Sequence, residues 1–164
     1  PPKDTTPPVI TITKPKAGTL EDMLREMSEM AANVTNQPAD SIYNAVLARE
    51  RFMRTGLPDG LAVPHARLNG LAKPILILAR HPDGIDFDAP DGKLARIICL
   101  LLTPADQPDA QIELLDTFGR TFMDPETRRR VLDAGGTVEL LAALNQAGDS
   151  HAESDEESKT PAEG

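Results

Sequence analysis

At 164 residues the sequence is long enough for one compact domain with tails and a buried core. Hydrophobic residues make up 40% but aromatics only 3%, so Leu, Ile, Val, Met and Ala must form that core. A net charge of −9 leaves no broad basic face for a nucleic-acid backbone, and no apolar stretch approaches the roughly 18–20 residues of a membrane span.

Pro1 to Pro8 is rich in Pro, Thr and charge and reads as a linker or arm. Val9 to Thr13 alternates and is β-branched, the pattern of a short strand. Thr19 and Asp22 form a capping signature for a helix whose inner face is Leu20, Met23, Leu24, Met27, Met30, Ala31 and Val34. The Met23, Met27 and Met30 stripe reads as core filling. A second helix is predicted from Asp40 or Ser41 to about Arg54, with Ile42, Ala45, Val46 and Phe52 inward.

Leu61-Ala62-Val63 is a short apolar run leading into Pro64-His65. Pro74 to Arg80 and Ala95 to Thr103 are continuous apolar runs, expected as strands covered on both faces. Between them His81-Pro82-Asp83-Gly84 reads as a turn, with His81 at the surface, and Asp91-Gly92 as a hairpin turn. A third helix is predicted from about Asp109 to Phe122, with Ile112, Leu115, Phe118 and Phe122 on one side. Asp124-Pro125 starts another that stops at Gly135-Gly136, and a last runs from Thr137 to about Asn145. Arg128-Arg129-Arg130 is expected to be a solvated face. The segment 148–164 is polar and acidic, with six acids against Lys159, and is expected to be disordered. These elements predict an α/β fold: a single layered domain over 9–147, with a mixed central sheet of about five strands flanked by helices.

The single cysteine, Cys99, lies in an apolar run and reads as a buried, inert thiol, consistent with a reducing cytoplasm. No metal-ligand spacing involves His81, His151 in the acidic segment is expected to be solvated, and no phosphate-binding glycine loop is followed by Lys-Ser/Thr. No metal or organic cofactor is expected. The start at Pro1-Pro2 leaves open that the sequence is a piece of a longer chain.

The stretch with most chemical content is Thr55 to Arg67. Gly56, Pro58 and Gly60 make a tight loop, Pro64 holds Val63 extended, and His65 follows where the strand is expected to give way to a loop. A neutral imidazole there has a free lone pair, as a nucleophile toward phosphorus requires. On its residues alone, a histidine after proline is more often structural or simply exposed.

The run Gly60-Leu61-Ala62-Val63-Pro64-His65-Ala66-Arg67 resembles the phosphorylation motif G-I-A-I-P-H-A-R of type-2 EIIA domains of the bacterial phosphotransferase system, the fructose, mannitol and nitrogen-regulatory group. Arg49-Glu50 is similar to an R-E pair on that family's preceding helix. The stretches Gly84 to Gly92, Ala95 to Pro104 and Gln111 to Phe118 also follow its register. The resemblance covers roughly Val9 to Leu144. It implies that His65 takes a phosphoryl group through Nε2 from the phosphocarrier HPr and that Arg49 balances its charge. It also implies that an EIIB domain, or a regulated transporter or kinase, lies downstream. The family usually has a second histidine where this sequence has Gln111, which can donate a hydrogen bond but cannot become cationic. Two other readings follow: a regulatory module with weak onward transfer, or a vestigial domain that takes no phosphate.

Overall fold

The computed structural model describes residues 8–144. The segment 148–164 lies outside it, as do Asn145 and all of the expected arm except Pro8. The chain divides into two compact units, one up to Leu115 and one from Asp116.

The first unit contains β1 (Val9–Ile12), α1 (Leu20–Ala32), α2 (Ala39–Phe52), β2 (Gly56–Leu57), β3 (Leu61–Ala62), β4 (His65–Leu68), β5 (Ile75–Ile85) and β6 (Ala95–Pro104). The strands form one mixed sheet in the order β1-β5-β6-β3-β2, with β4 also on β6. There are six strands, because Gly56–Leu57 and His65–Leu68 join the four apolar runs that the sequence marks. Leu61 pairs with Ile97 and His65 with Leu101, both parallel and at the same offset, so β3 and β4 are one ladder interrupted at Val63-Pro64. Pro64 has no N–H to give the ladder, but its carbonyl still accepts from Leu101 N at 3.0 Å. His65 therefore does not end a strand, as expected, but resumes one.

Thr19 caps α1, its hydroxyl accepting from Asp22 N at 3.1 Å. Met23, Leu24 and Met27 of α1 and Ile42 and Val46 of α2 are fully buried against Ile77, Ala79, Ile98, Leu100 and Leu102 of the sheet. At about 25 cal/mol per Å2 of apolar surface removed from water, this layer is the main source of stability. The alternate β6 residues Ile97, Cys99 and Leu101 are buried as well, so β6 has no solvent face beyond Arg96. Burial pushes the Cys99 thiol up to about 12 and keeps it inert at neutral pH.

Three expected core residues are outside it. Val34 lies past the end of α1 and is 50% exposed; Phe52 ends α2 at 83%; Ile112 is 65% exposed. Val34 and Phe52 lie past or at their helix ends, and Ile112 lies in the part of α3 before its buried residues Phe118 and Phe122.

His81 to Gly84 also departs from the turn reading. They lie within β5, where the register with β6 breaks between Arg80 and Ile85 and a bulge forms. Gly84 N–H donates to His81 Nδ1 at 3.0 Å, so the proton is on Nε2, which donates to Ala17 O at 2.6 Å. His81 is thus a buried clamp between the bulge and the segment entering α1. Gly84 has φ +82° and an added Cβ would lie 2.6 Å from Leu94 Cβ, so glycine is required there.

Of α3 (Pro108–Met123), the part up to Leu115 belongs to the first unit. The second unit takes the rest of α3, α4 (Pro125–Asp133) and the helical residues 137–144. Phe118 and Phe122 are buried with ring centroids 4.8 Å apart, and Val131 and Leu140 are fully buried. Asp124 caps α4 by accepting from Glu126 N at 3.1 Å. Arg128 is not part of a solvated face: its guanidinium donates to the carbonyls of Phe122 at 2.6 Å and Met123 at 3.1 Å, closing the end of α3. Arg129 and Arg130 do face solvent and pair with Glu126, whose carboxyl Arg129 holds below the usual range.

Replacing His81 by alanine leaves the buried Ala17 carbonyl and the half-buried Gly84 N–H without these partners. We expect His81→Ala to lose about 2–4 kcal/mol in urea unfolding. A loss below about 0.5 kcal/mol, the range of ordinary surface substitutions, would show that the clamp carries no stability.

Candidate functional site

The hairpin from Gly56 to Ala62 brings the chain back beside α2. β2 and β3 pair antiparallel, and Asp59 (φ 69°) and Gly60 (φ 78°) turn the chain between them. Gly56 passes so near Phe87 that a Cβ there would lie 2.6 Å from the Phe87 carbonyl oxygen. Thr55, just before the hairpin, is tied to α2. The Glu50 carboxylate accepts from Thr55 N and from the Thr55 hydroxyl, each at 2.6 Å. Glu50 is fully buried, with both oxygens so engaged.

The hairpin leads into β4, whose side chains alternate. Ala66 and Leu68 point into the core shared with α1 and α2. His65 and Arg67 point the other way, into a pocket of about 230 Å3 lined also by Ala45 and Arg49 of α2, Ala66, and Gln111 of α3. The three residues singled out in the sequence, His65, Arg49 and Gln111, thus meet at one pocket. Arg67 was quoted there within the motif but given no role. Its period-two relation to His65 along a strand is the signal that would have given it one.

His65 is 5% exposed, yet its ring is not closed off. Nδ1 lies 2.8 Å from the Val63 carbonyl oxygen. A carbonyl only accepts, so Nδ1 carries the proton and the neutral ring keeps its lone pair on Nε2. Among the described residues, the buried side-chain polar atoms without a partner are Ser28 Oγ and Thr103 Oγ1. Nε2 has no partner and is not among them, so it is open to the pocket.

Burial lowers the His65 pKa below its ordinary 6.5. The Val63 hydrogen bond opposes this, the Arg49 charge adds to it, Glu50 opposes it and Arg67 adds to it. The neutral, nucleophilic form is therefore favoured at pH 7. The pocket's two ionic side chains besides His65 are both arginines. Arg49 donates to Met53 O at 3.0 Å, and Arg67 has no carboxylate partner among the described residues. In a chain of net charge −9, the fixed charge of this pocket is locally positive. Among the described residues no group of three or more His, Cys, Asp or Glu could hold a metal.

The model of the phosphoenolpyruvate-dependent sugar phosphotransferase system EIIA 2 family matches residues 6–147. The chain belongs to this family. Among EIIA relatives, a fructose-specific EIIA component of Haloferax volcanii is 33% identical over 119 residues, 73% of this chain and 75% of that protein. The crystal structure of the nitrogen regulatory protein IIA-Ntr of Neisseria meningitidis superposes with a TM-score of 0.75 at 25% identity, covering 83% of this chain and 91% of that one. The Escherichia coli mannitol enzyme IIA, solved in complex with phosphorylated enzyme IIB, shares the fold with a TM-score of 0.68 at 19% identity, covering 83% and 94%. The EIIA resemblance read from the sequence and the mixed sheet flanked by helices are thus both borne out. Among the described residues no helix is long and apolar enough to cross a membrane.

The lowered His65 pKa has a consequence for stability. Between the folded value and 6.5 the unfolded chain holds a proton at this position that the folded chain does not. Stability from the neutral ring is therefore fully present above 6.5 and is lost as pH falls through the folded value. We expect His65→Gln to flatten the rise of urea midpoint with pH over that window. Parallel pH profiles for wild type and variant would contradict the burial argument.

Proposed function

We propose that the chain is a phosphocarrier of the phosphotransferase type, with His65 Nε2 as phosphoryl acceptor. The observation that carries this is the open Nε2 lone pair in a pocket whose fixed charges are two arginines. The donor is the phosphohistidine of an HPr-like carrier in the cytoplasm. As the Nε2–P bond forms, the donor's N–P bond breaks and its electron pair returns to the donor nitrogen. Arg49 and Arg67 offset the charge on the phosphoryl oxygens, and the Gln111 amide donates a hydrogen bond to one of them. Nδ1 keeps its proton throughout and stays on the Val63 carbonyl. The phosphoryl group then passes to an EIIB domain, a reading supported by the solved IIA–IIB complex of the mannitol relative.

A second reading is a regulatory module whose phosphorylation state controls a transporter or kinase. Gln111 favours it, because a neutral amide lacks the charge-assisted contact that is about twice as strong. The likeness to IIA-Ntr points the same way.

Incubation with phosphoenolpyruvate, enzyme I and HPr tests the acceptor role. The wild type should take up acid-labile label, His65→Ala none, and Arg49→Gln roughly tenfold less. Gln111→His should speed transfer to EIIB several-fold. An unlabelled wild type beside a labelled control EIIA would refute the phosphocarrier reading.

A further inference from the structure

The buried carboxylate of Glu50 does not line the pocket, yet three steps of hydrogen bonding, linked through the Thr55 and Val63 backbones, join it to the acceptor ring. Glu50 accepts from both the N–H and the hydroxyl of Thr55 at 2.6 Å. The Thr55 carbonyl accepts from Val63 N–H at 3.2 Å. The Val63 carbonyl accepts from His65 Nδ1–H at 2.8 Å. Each hydrogen bond is directional, and all four residues, Glu50, Thr55, Val63 and His65, are buried.

Two of these bonds are more than packing. Val63 and Pro64 lie between β3 and β4, and the bond from Val63 N–H to Thr55 O carries the β2–β3 register one pair further. That bond anchors the Val63 backbone to Thr55. Thr55 in turn follows the end of α2 and precedes β2, where neither helix nor strand bonds hold its N–H. Glu50 holds it. The Thr55 and Val63 backbones are thus anchored to α2, and with them the segment whose Val63 carbonyl accepts from the ring nitrogen that keeps the proton.

We propose that Glu50 is a positioning residue for phosphoryl acceptance, acting through Thr55 and Val63 to hold His65 with its proton on Nδ1 and its lone pair on Nε2. This rests on the reading of His65 as acceptor. Glu50 never touches the phosphoryl group. Facing inward, Glu50 does not line the arginine-containing pocket, while its two oxygens hold Thr55. The charged groups acting on the ring are Arg49, Glu50 and Arg67.

The test uses 15N NMR of the whole chain, which reports the tautomer and titration of His65 without any phosphoryl donor, together with labelling by phospho-HPr. In wild type the neutral ring should be the Nδ1–H tautomer. Glu50→Ala should shift it toward a mixture of tautomers and slow labelling tenfold or more, with a folded amide spectrum. Glu50→Gln still offers an amide oxygen to Thr55 N–H and an amide N–H to the Thr55 hydroxyl. It should keep the tautomer and label within about threefold of wild type, while the His65 titration midpoint moves lower because the nearby anion is gone. If Glu50→Ala fails to fold, Thr55→Val, which removes the hydroxyl bond to Glu50, should show the same tautomer shift in part. An unchanged tautomer in folded Glu50→Ala, or in Thr55→Val where Glu50→Ala does not fold, would overturn the proposal. A wild type that takes no label, with the tautomer and midpoint responding as expected, would refute the acceptor reading and leave the positioning role of Glu50 standing.

Discussion

The 2.8 Å hydrogen bond from His65 Nδ1 to the Val63 carbonyl is the constraint on which this site depends. Imidazole has two nitrogens, and in the neutral ring only one is basic. Without a fixed partner the two tautomers would interchange and the lone pair would face the pocket only part of the time. A carbonyl oxygen removes the ambiguity because it has no proton to give. The rest of the local fold serves that one oxygen. The Thr55 carbonyl accepts from Val63 N–H on one side, and Leu101 N–H donates to the Pro64 carbonyl on the other, so the backbone is anchored before and after that oxygen. Pro64 interrupts the ladder at the point where the Val63 carbonyl must turn to the ring instead of to a neighbouring strand.

Charge placement follows the same economy. The chain has 26 acidic side chains against 17 Lys and Arg, so a carboxylate-free pocket containing two arginines requires specific placement. The one acid in the run Arg49-Glu50-Arg51 is turned inward and consumed by Thr55. Successive helical residues lie about 100° apart, which puts Arg49 on the pocket and Glu50 in the core from adjacent positions. Burial lowers the pKa of the His65 ring, and the two arginines lower it further. The same charges that would receive a phosphoryl dianion therefore also keep its acceptor unprotonated.

The apolar periods of α1, the continuous runs of β5 and β6, and the Thr19 and Asp124 caps were legible in the sequence because each is local. The grouping of His65, Arg49 and Gln111 came from the family resemblance; spacing alone could not bring helices α2 and α3 to the same strand. What stayed hidden was long-range. His81 looked like a turn residue because Pro82, Asp83 and Gly84 follow it. Only the pairing of β5 with β6 makes that stretch a bulge, and only the segment before α1 supplies a carbonyl for the ring. Phe52 and Ile112 sit at positions a helical wheel places inward or on a common face, but the helix ends, or its packed face narrows, before they reach the core. The tie of Glu50 to Thr55 spans five residues across a helix end, where no periodic rule applies.

His65 and His81 together show what separates a reactive histidine from a structural one. Both are nearly as buried, at 5% and 7% exposure, and both donate one ring N–H to a backbone carbonyl. In His81 the second nitrogen is consumed by the Gly84 N–H, so the ring has no free valence and serves as a clamp. In His65 the second nitrogen meets open space beside two arginines. Burial, residue type and the first hydrogen bond are alike in the two. The difference is one backbone N–H, present beside His81 because the bulge turns Gly84 inward and absent beside His65 because a pocket lies there. For a histidine in this fold, chemistry is therefore decided by the nitrogen that the backbone leaves unused.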